Sequence, residues 1–289
     1  MIEPRPPFRI PLRDGRVLDL SGPTKVMAIV NVTPDSFADG GERFDPAVAI
    51  ADALQMVADG ADILDIGGES TRPGAPPLPE AEELGRVVPV LEGLRGRVEV
   101  PISIDTYKAA VAERAIALGA TIVNDISALT YDPGLAGVVA RTSAAVILMH
   151  TRGRSAEMYA LAAYDDVAAE IARELGERDA AARAAGIAAE RIILDPGIGF
   201  AKKAEHSFAA IAGLPELAKL GRPILAGPSR KSFLKSAVGD VPPRDRLWGT
   251  AAAVAASILL GAHIVRVHDV KEMAQVARTA DAIVASARP

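Results

Sequence analysis

Cysteine is absent from the 289-residue chain, which excludes disulfide bonds and thiolate chemistry. Aromatic residues make up only 4% of the sequence, although hydrophobic residues of all kinds make up 49%. The hydrophobic content is sufficient for a large core, but that core must be built mainly from Ala, Val, Ile and Leu.

The chain also lacks a strong excess of either charge, since 32 basic residues face 37 acidic ones and the net charge is −5. It has no basic bias or polybasic run of the kind that binds nucleic acid or anionic membranes. The first seven residues lack the apolar core of a signal peptide, and the longest apolar stretch, Gly249–Ala262, is shorter than the ~20 residues of a membrane span. We therefore expect a soluble cytoplasmic protein without nucleic-acid or membrane partners.

Eight short apolar runs end in polar or glycine residues, and a helix-patterned stretch follows each one. The runs are Val26–Val30, Ile63–Ile66, Ile102–Ile104, Ile122–Val123, Val146–Met149, Ile192–Leu194, Ile224–Ala226 and Ile264–Val267. Strands that alternate with helices predict a parallel sheet of the α/β class. Eight such units in about 250 residues predict a closed (β/α)8 TIM barrel, whose functional site lies at the carboxyl ends of the strands.

We predict a single domain over residues 1–289, with the barrel from about residue 25. Before it, Asp14-Gly15 lies between the alternating runs Phe8–Ile10 and Val17–Leu20, which predicts a β-hairpin at about residues 8–20 that closes the barrel floor. The predicted helices are Pro46–Ala58, Pro79–Leu94, Tyr107–Leu118, Pro133–Arg141, Asp165–Ala185, Ser207–Lys219, Arg244–Leu260 and Val270–Ser286.

Two strand-to-helix loops are long, Asn31–Asp45 and Gly67–Leu78. Long loops at this end of a barrel are typically binding loops, and the alternative is that they only connect strand and helix.

Two cationic motifs follow later in the chain. Ser229-Arg230-Lys231-Ser232 offers hydroxyls and two cations to an anion, or is only a solvated charged turn. Arg266 and His268 share one face of the last strand and form a natural phosphate clamp; alternatively, Arg266 pairs with a barrel carboxylate.

Asp105, Asn124 and Asp195 each end a predicted strand and can reach the barrel axis. Carboxylates and an amide suit a planar ring with several hydrogen-bonding groups, although Asp105 could instead cap the next helix. Asn31 and the loop hydroxyls could complete a hydrated Mg²⁺ site, and no His/Cys cluster has zinc spacing. For His150 we expect a packed or capping role.

Neither a Gly-x-Gly-x-x-Gly turn between strand and helix nor a Walker loop occurs. These patterns together indicate a barrel enzyme that binds a flat polar heterocycle deep inside and a phosphate ester or pyrophosphate near the rim, with Mg²⁺.

From about Lys25 to the C-terminus, seven motifs at successive strand ends resemble those of the dihydropteroate synthases, in the same order. They are Asn31-Val32-Thr33-Pro34-Asp35-Ser36-Phe37, Gly67-Gly68-Glu69-Ser70-Thr71-Arg72-Pro73-Gly74, Ser103-Ile104-Asp105-Thr106, Asn124-Asp125-Ile126-Ser127, Asp195-Pro196-Gly197-Ile198-Gly199-Phe200, Ser229-Arg230-Lys231-Ser232 and Arg266-Val267-His268-Asp269-Val270. The resemblance implies a transferase of folate biosynthesis. It would condense 6-hydroxymethyl-7,8-dihydropterin pyrophosphate with p-aminobenzoate, releasing pyrophosphate.

The resemblance also implies roles for individual residues and a homodimer formed through the last helices. The pterin would be held by Asp105, Asn124, Asp195 and Lys231, and the pyrophosphate by Arg266, His268 and Asn31, with Mg²⁺ on Asn31. The p-aminobenzoate would be framed by Phe37, Thr71, Pro73, Phe200 and Ser232, while Asp39 and Arg72 would help to close the two loops. Of these, Asp39, Arg72, Lys231, Arg266 and His268 would serve catalysis.

Three positions depart from the family pattern. Ala128 and Ala201 stand where the family often has glycine, and His150-Thr151-Arg152-Gly153 replaces the commoner His-Met-x-Gly. Two other functions remain alternatives at this point. A methyltetrahydrofolate domain of a corrinoid methyltransferase shares the pterin-binding Asp and Asn but needs no pyrophosphate clamp, and a pterin-binding protein without catalysis needs neither clamp nor metal.

Overall fold

Eight parallel strands form the main sheet of the protein, whose computed structural model describes residues 5–32, 45–70 and 74–287. These strands are β3 (Lys25–Asn31), β4 (Ile63–Gly67), β5 (Ile102–Asp105), β6 (Ile122–Asp125), β7 (Ala145–Met149), β8 (Ile192–Asp195), β9 (Leu225–Ala226) and β10 (Ile264–Val267). The sheet order is β8-β7-β6-β5-β4-β3-β10-β9, and a parallel bridge between Leu194 and Ile224 joins its two ends. The predicted (β/α)8 barrel is therefore confirmed.

Helices follow the barrel strands. They are α1 (Pro46–Ala58), α2 (Glu80–Leu94), α3 (Ala109–Ala117), α4 (Leu135–Thr142), α5 (Val167–Ala184), α6 (Ala204–Ala212), α7 (Leu214–Ala218), α8 (Lys235–Val238), α9 (Leu247–Leu259) and α10 (Val270–Ser286). The predictions for α1 and α10 match both ends. Asp45 caps α1 by accepting a hydrogen bond from the Ala47 N–H over 2.8 Å, and Pro46 occupies the first turn.

The prediction of one helix over Ser207–Lys219 was wrong, because α6 ends before Gly213 and α7 starts after it. Pro215 has no N–H to continue the helical hydrogen bonds. At Gly213, an added Cβ would lie 2.5 Å from the Cβ of Ala168, so α5 packs against the break. The short helix α8 and the 3₁₀ turn Pro243–Arg246 before α9 were also not anticipated.

The two-residue period of the strands divides the barrel interior into an apolar lower layer and a polar upper layer. On β10, Ile264 is followed at the same parity by Arg266 and His268, and on β4, Ile63 is followed by Asp65. The lower layer belongs to one buried cluster that contains Met27, Ile63, Ile122, Ala145, Ile147, Ile193, Leu225 and Ile264. Polar side chains therefore stand directly above a hydrophobic floor.

The predicted hairpin is present as β1 (Arg9–Pro11) and β2 (Val17–Asp19), which pair antiparallel. Gly15 in its turn has φ of 85°, a conformation that glycine adopts without strain. Its side chains Ile10, Leu12, Leu18 and Leu20 are buried in the same cluster as the lower barrel layer. The hairpin thus closes the floor as predicted.

The first and last parts of the described chain meet beside this floor. Arg5 donates to Asp281 of α10 over 2.7 Å and to the carbonyl of Ala262 over 2.7 Å. The Thr24 N–H also donates to Asp281, over 2.7 Å, just before β3 begins. Across the described ranges, none of the helices is long and apolar enough to cross a membrane.

Candidate active site

The register of the parallel strands sets three predicted polar residues in one row at the barrel mouth. Asn31 lies opposite Gly67, Gly67 opposite Asp105, and Asp105 opposite Asn124. An added Cβ at Gly67 would lie 3.3 Å from the Cβ of Asp105. Glycine in the middle of the row therefore leaves space next to the Asp105 carboxylate.

Below this row, Asp65 connects two of the predicted site residues. Arg266 donates from Nε to Asp65 Oδ2 over 2.6 Å and from Nη2 to Asp105 Oδ2 over 2.6 Å. Asn124 Nδ2 donates to the same Asp65 oxygen over 2.9 Å. Asp65 is fully buried, and among the described residues its Oδ1 has no hydrogen-bond partner. Four polar side chains from four strands therefore form one network.

Burial dominates the electrostatics of this network. It raises the pKa of Asp105 to about 7, opposed by the positive charge of Arg266 and reinforced by the neighbouring carboxylates, that of Asp65 foremost. Burial alone would lower the pKa of Arg266, but Asp65 and Asp105 outweigh it and hold that pKa above its usual value. Arg266 therefore stays charged, while burial and the neighbouring carboxylates favour the protonated form of Asp105.

The ion pairs of Arg266 are the alternative that the sequence left open for this residue. They use two of the five N–H groups of the guanidinium, so the same side chain can still present donors to a phosphate. The phosphate clamp remains a prediction.

A second group of site residues surrounds the loop after β8. Asp195 accepts a hydrogen bond from the Gly197 N–H over 2.7 Å, and Lys231 donates from Nζ to the Ile198 carbonyl. The same Nζ lies 4.7 Å from the ring centroid of Phe200. Burial raises the pKa of Asp195 and lowers that of Lys231 to about 8, and each charge opposes the shift of the other. Asp195, Lys231 and Phe200 therefore form one side of the mouth.

His268 lies next to the Ser229 segment. Its Nδ1 is 3.0 Å from Ser229 Oγ, and its backbone N–H donates to that oxygen over 3.2 Å. Arg230 points elsewhere, since it pairs with Asp269 through a 3.0 Å bond from Nε to Oδ2. Ser232 is exposed at the start of the following turn. Of the two cations in this motif, Lys231 faces the site.

The remaining predicted residues fall on the two long loops, outside the residues that the structure describes. They are Phe37, Asp39, Thr71, Arg72 and Pro73. Their roles stay predictions.

Asp65 is the site residue that the sequence analysis missed. It lies inside the run Ile63–Ile66, whose pattern predicts only an apolar strand. The available signal was a carboxylate within four otherwise apolar positions, two residues before Gly67 and so on the same face of the strand. A buried carboxylate in such a strand requires a cation to pair with, and Arg266, the cation inside the last apolar strand, was the candidate.

Two of the departures from the family pattern have a common geometry. Ala128 has φ of 50° and Ala201 has φ of 48°, both in the left-handed region that glycine occupies most easily. The backbone at both positions thus keeps a conformation that suits the glycine often found there in the family.

Comparison with known proteins identifies the family of the chain. The family model described as "Pterin binding enzyme" matches residues 27–268. The chain is 48% identical over 277 residues to a dihydropteroate synthase of Synechocystis sp., covering 96% of both chains. It is 45% identical over 268 residues to a dihydropteroate synthase of Escherichia coli K12, covering 93% of this chain and 94% of the relative.

Solved structures show the same likeness. A dihydropteroate synthase of Xanthomonas albilineans with 4-aminobenzoic acid superposes with a TM-score of 0.90 at 43% identity, covering 98% of this chain and all of the other. The same enzyme in complex with 7,8-dihydropteroate gives 0.86 at 41% identity, covering 97% and 100%. A sulfonamide complex of the Yersinia pestis enzyme gives 0.90 at 42%, covering 96% and 100%. The chain therefore belongs to the pterin-binding enzymes and, within them, to the dihydropteroate synthases.

Proposed function

We propose that this chain joins p-aminobenzoate to the methylene carbon of 6-hydroxymethyl-7,8-dihydropterin pyrophosphate, giving 7,8-dihydropteroate and pyrophosphate in folate biosynthesis. A C–N bond forms and the C–O bond to pyrophosphate breaks. The observation that carries the proposal is the buried network of Asp65, Asp105, Asn124 and Arg266 at the barrel mouth. It supplies hydrogen-bonding groups for a heterocycle and a permanent cation for a leaving anion.

The pterin fits the donor and acceptor groups of this network. Its amino and ring N–H groups can donate to Asp105 and Asp195, and the amide of Asn124 can both donate and accept. Lys231 supplies a further donor on the opposite side of the mouth. All four residues follow or end barrel strands, so a ring lying across the axis can reach them together.

Mg²⁺ fits Asn31 as a partner of the pyrophosphate. In the described segments, no group of three or more His, Cys, Asp or Glu side chains could hold a metal ion, so a cage built from such residues is not expected there. Mg²⁺ commonly binds one or two protein oxygens and takes its other ligands from water and substrate phosphates. Asn31 offers an amide oxygen at the end of β3, beside the strand that carries Arg266. Bound there, the ion would neutralise pyrophosphate charge.

The residues of the chain then act on the two ends of the breaking bond. Arg266 and His268 stabilise negative charge as pyrophosphate departs. The methylene carbon becomes cationic and its charge spreads into the dihydropterin, near the carboxylates of Asp105 and Asp195. The neutral arylamine attacks this carbon and releases its proton to solvent or to pyrophosphate, so no strong general base is needed. Phe37, Thr71, Pro73, Phe200 and Ser232 would frame the arylamine, and Asp39 and Arg72 would close the loops against water.

We also propose a cytoplasmic homodimer that forms through the last helices. Trp248 on α9 is 81% exposed, and Ile283 on α10 is 48% exposed. Most of the side chains of α9 that are not buried are small and apolar, so this surface suits a second copy of the chain. Twofold symmetry is the commonest arrangement for such contacts.

Product formation tests the proposal. The purified chain should make dihydropteroate and pyrophosphate when given both substrates and Mg²⁺, as shown by mass spectrometry and a pyrophosphate assay. Binding of the pterin without product would instead support a pterin-binding protein. Methyl transfer from methyltetrahydrofolate to a corrinoid protein would support the other alternative, which needs no pyrophosphate clamp.

A further inference from the structure

The backbone after β8 follows an unusual path. Gly197, Gly199 and Ala201 have φ of 67°, 82° and 48°, so left-handed residues alternate with others. The Gly197 carbonyl in this segment accepts from the Phe200 N–H over 3.0 Å, and carbonyls without such a backbone partner need a side chain or water to donate to them. Phe200, which the proposed function assigns to p-aminobenzoate, lies in the middle of this segment.

The backbone carbonyls of Phe200 and Ala201 each accept a hydrogen bond from a side chain. Lys202 Nζ donates to the Phe200 carbonyl over 3.1 Å. The Tyr164 hydroxyl donates to the Ala201 carbonyl over 2.9 Å. Lys202 is only 1% exposed, whereas its neighbour Lys203 is exposed. A buried lysine therefore contacts the backbone at Phe200.

Lys202 is linked to the protein surface by a series of hydrogen bonds through His150, Glu174 and Arg152. His150, which is 3% exposed, has Nδ1 2.8 Å from Lys202 Nζ and Nε2 3.0 Å from Glu174 Oε2. Burial lowers the pKa of His150 to about 4, so its ring is neutral. Because Nε2 faces a carboxylate, it carries the proton and donates, which leaves Nδ1 to accept from Lys202. Arg152 pairs with Glu174 at the outer end. The sequence predicted a packed or capping role for His150, and the buried ring instead links Lys202 to Glu174.

We propose that Lys202, held by His150 and Glu174, is a positioning residue that, together with the Tyr164 hydroxyl, fixes the Phe200 and Ala201 carbonyls and so sets Phe200 for the arylamine substrate. The inference rests on the proposed function, because that function places p-aminobenzoate against Phe200. Lys202 Nζ bonds to the Phe200 carbonyl and to His150, and among the described residues it makes no hydrogen bond to Asp105, Asn124 or Asp195. Its charge is only a minor contribution that lowers the pKa of Asp195, after those of Lys231, the Gly197 N–H and Arg266. Loss of Lys202 should therefore affect p-aminobenzoate more than the pterin substrate.

The first test compares Lys202→Met with Lys203→Met, which removes an exposed charge from the adjacent position. Methionine keeps the length of the lysine stem but cannot donate. Steady-state kinetics should show a rise of about tenfold in the KM of p-aminobenzoate for Lys202→Met, or about 1.4 kcal/mol. The KM of the pterin substrate should stay within about twofold, and Lys203→Met should match the wild type. Equal changes in both KM values, or no change in either, would overturn the proposal.

A second pair of variants tests the role of His150. Asparagine places an amide oxygen close to the position of Nδ1 and can still accept from Lys202, whereas leucine cannot. His150→Leu should reproduce the selective rise in the KM of p-aminobenzoate, and His150→Asn should restore most of the wild-type value. Identical kinetics for the two variants would contradict a specific hydrogen bond.

If the variants of the buried Lys202 and His150 do not fold, Tyr164→Phe provides an independent test. It deletes only the hydroxyl that donates to Ala201 and keeps the ring, which packs 4.1 Å from the Arg152 guanidinium. We expect about a threefold selective rise in the KM of p-aminobenzoate with an unchanged circular dichroism spectrum, and an unchanged KM would overturn the proposal. A wild-type protein that forms no product would instead refute the proposed function, which separates the two failures.

Discussion

Arg266 and Asp65 form an ion pair inside the barrel although they are 201 residues apart in the sequence, with 2.6 Å between Nε and Oδ2. Asp65 has no exposed surface, so its charge depends on this arginine and on the Asn124 amide for compensation. The proposed phosphate clamp is thus also a structural cation. Changes at Arg266 should affect both catalysis and folding.

The first prediction concerns Arg266→Ala. Loss of the cation at the leaving group should lower kcat/KM at least ~100-fold, or about 3 kcal/mol of transition-state stabilisation. Because Asp65 is left buried and unpaired, the free energy of unfolding should also fall, by about 3 kcal/mol. Arg222→Ala is a matched control, since Arg222 pairs with Asp179 just before β9, away from the mouth. Unchanged turnover by Arg266→Ala would refute the clamp.

The second prediction concerns pH. In the proposed site, pterin N–H groups donate to anionic Asp105, whose pKa burial raises to about 7, so kcat/KM for the pterin substrate should rise as pH increases through about 7. Burial lowers the pKa of Lys231 to about 8, so the value should fall above about pH 8 as this donor loses its charge. Lys231→Arg keeps a cation and should remove the descending limb. A profile that stays flat from pH 6 to 9 would contradict both assignments.

The third prediction concerns stability at a helix end. Ser143 follows α4 with φ of 56° and an exposed side chain. Glycine adopts this conformation without the steric cost of a Cβ, so Ser143→Gly should raise the free energy of unfolding by about 1 kcal/mol. Ala185 follows α5 with φ of −78°, and Ala185→Gly should give no gain. Urea denaturation measures both, and equal effects would refute the explanation.

The fourth prediction concerns sulfonamides, which mimic p-aminobenzoate. The segment from Asp195 runs through Phe200 directly into Ala201 with no additional bulky residue. We expect competitive inhibition against p-aminobenzoate. Insertion of one bulky residue after Phe200 should weaken the drug more than the substrate, because the sulfonyl group projects further than a carboxylate. Normal turnover under saturating drug would show that the pocket differs from this description.

The fifth prediction concerns assembly. Light scattering at micromolar concentration should give twice the 30.0 kDa mass of the chain. Trp248→Glu should shift the protein towards the monomer, because it places a charge on the proposed contact surface. Val17→Glu alters an exposed residue of the hairpin, outside α9 and α10, and should leave the dimer intact. A monomeric wild type would refute the dimer.

Much of the barrel could be predicted because its strands end where the residue type changes sharply. Asp105, Asn124 and Asp195 each follow a buried apolar run, and each lies at a strand end in the structure. Helix ends marked by proline or a capping carboxylate, as at Pro46, were also predictable. Gly213 and Pro215 mark the break between α6 and α7 in the sequence, but the close approach of Ala168 to Gly213 from another helix is visible only in the structure.

The sequence shows which residues belong to the site better than it shows which of them contact one another. Period and burial place Arg266 on the inner face, but they do not show which carboxylate it meets across the barrel. Lys202 and Lys203 are adjacent and chemically identical, yet one is buried against His150 and the other is exposed. Only the tertiary path of the loop distinguishes them.

The pairing of β3 with β10 has a consequence for biosynthesis. Ile264 of β10 pairs with Lys25 of β3, and Arg5 pairs with Asp281 of α10. The first barrel strand therefore gains its partner only when the last strand has been synthesised. On the ribosome, β3 has an open edge until β10 has emerged, and Asp65 has no arginine until the same moment. A nascent chain stalled before residue 264 should therefore remain sensitive to proteases, because neither partner is yet present.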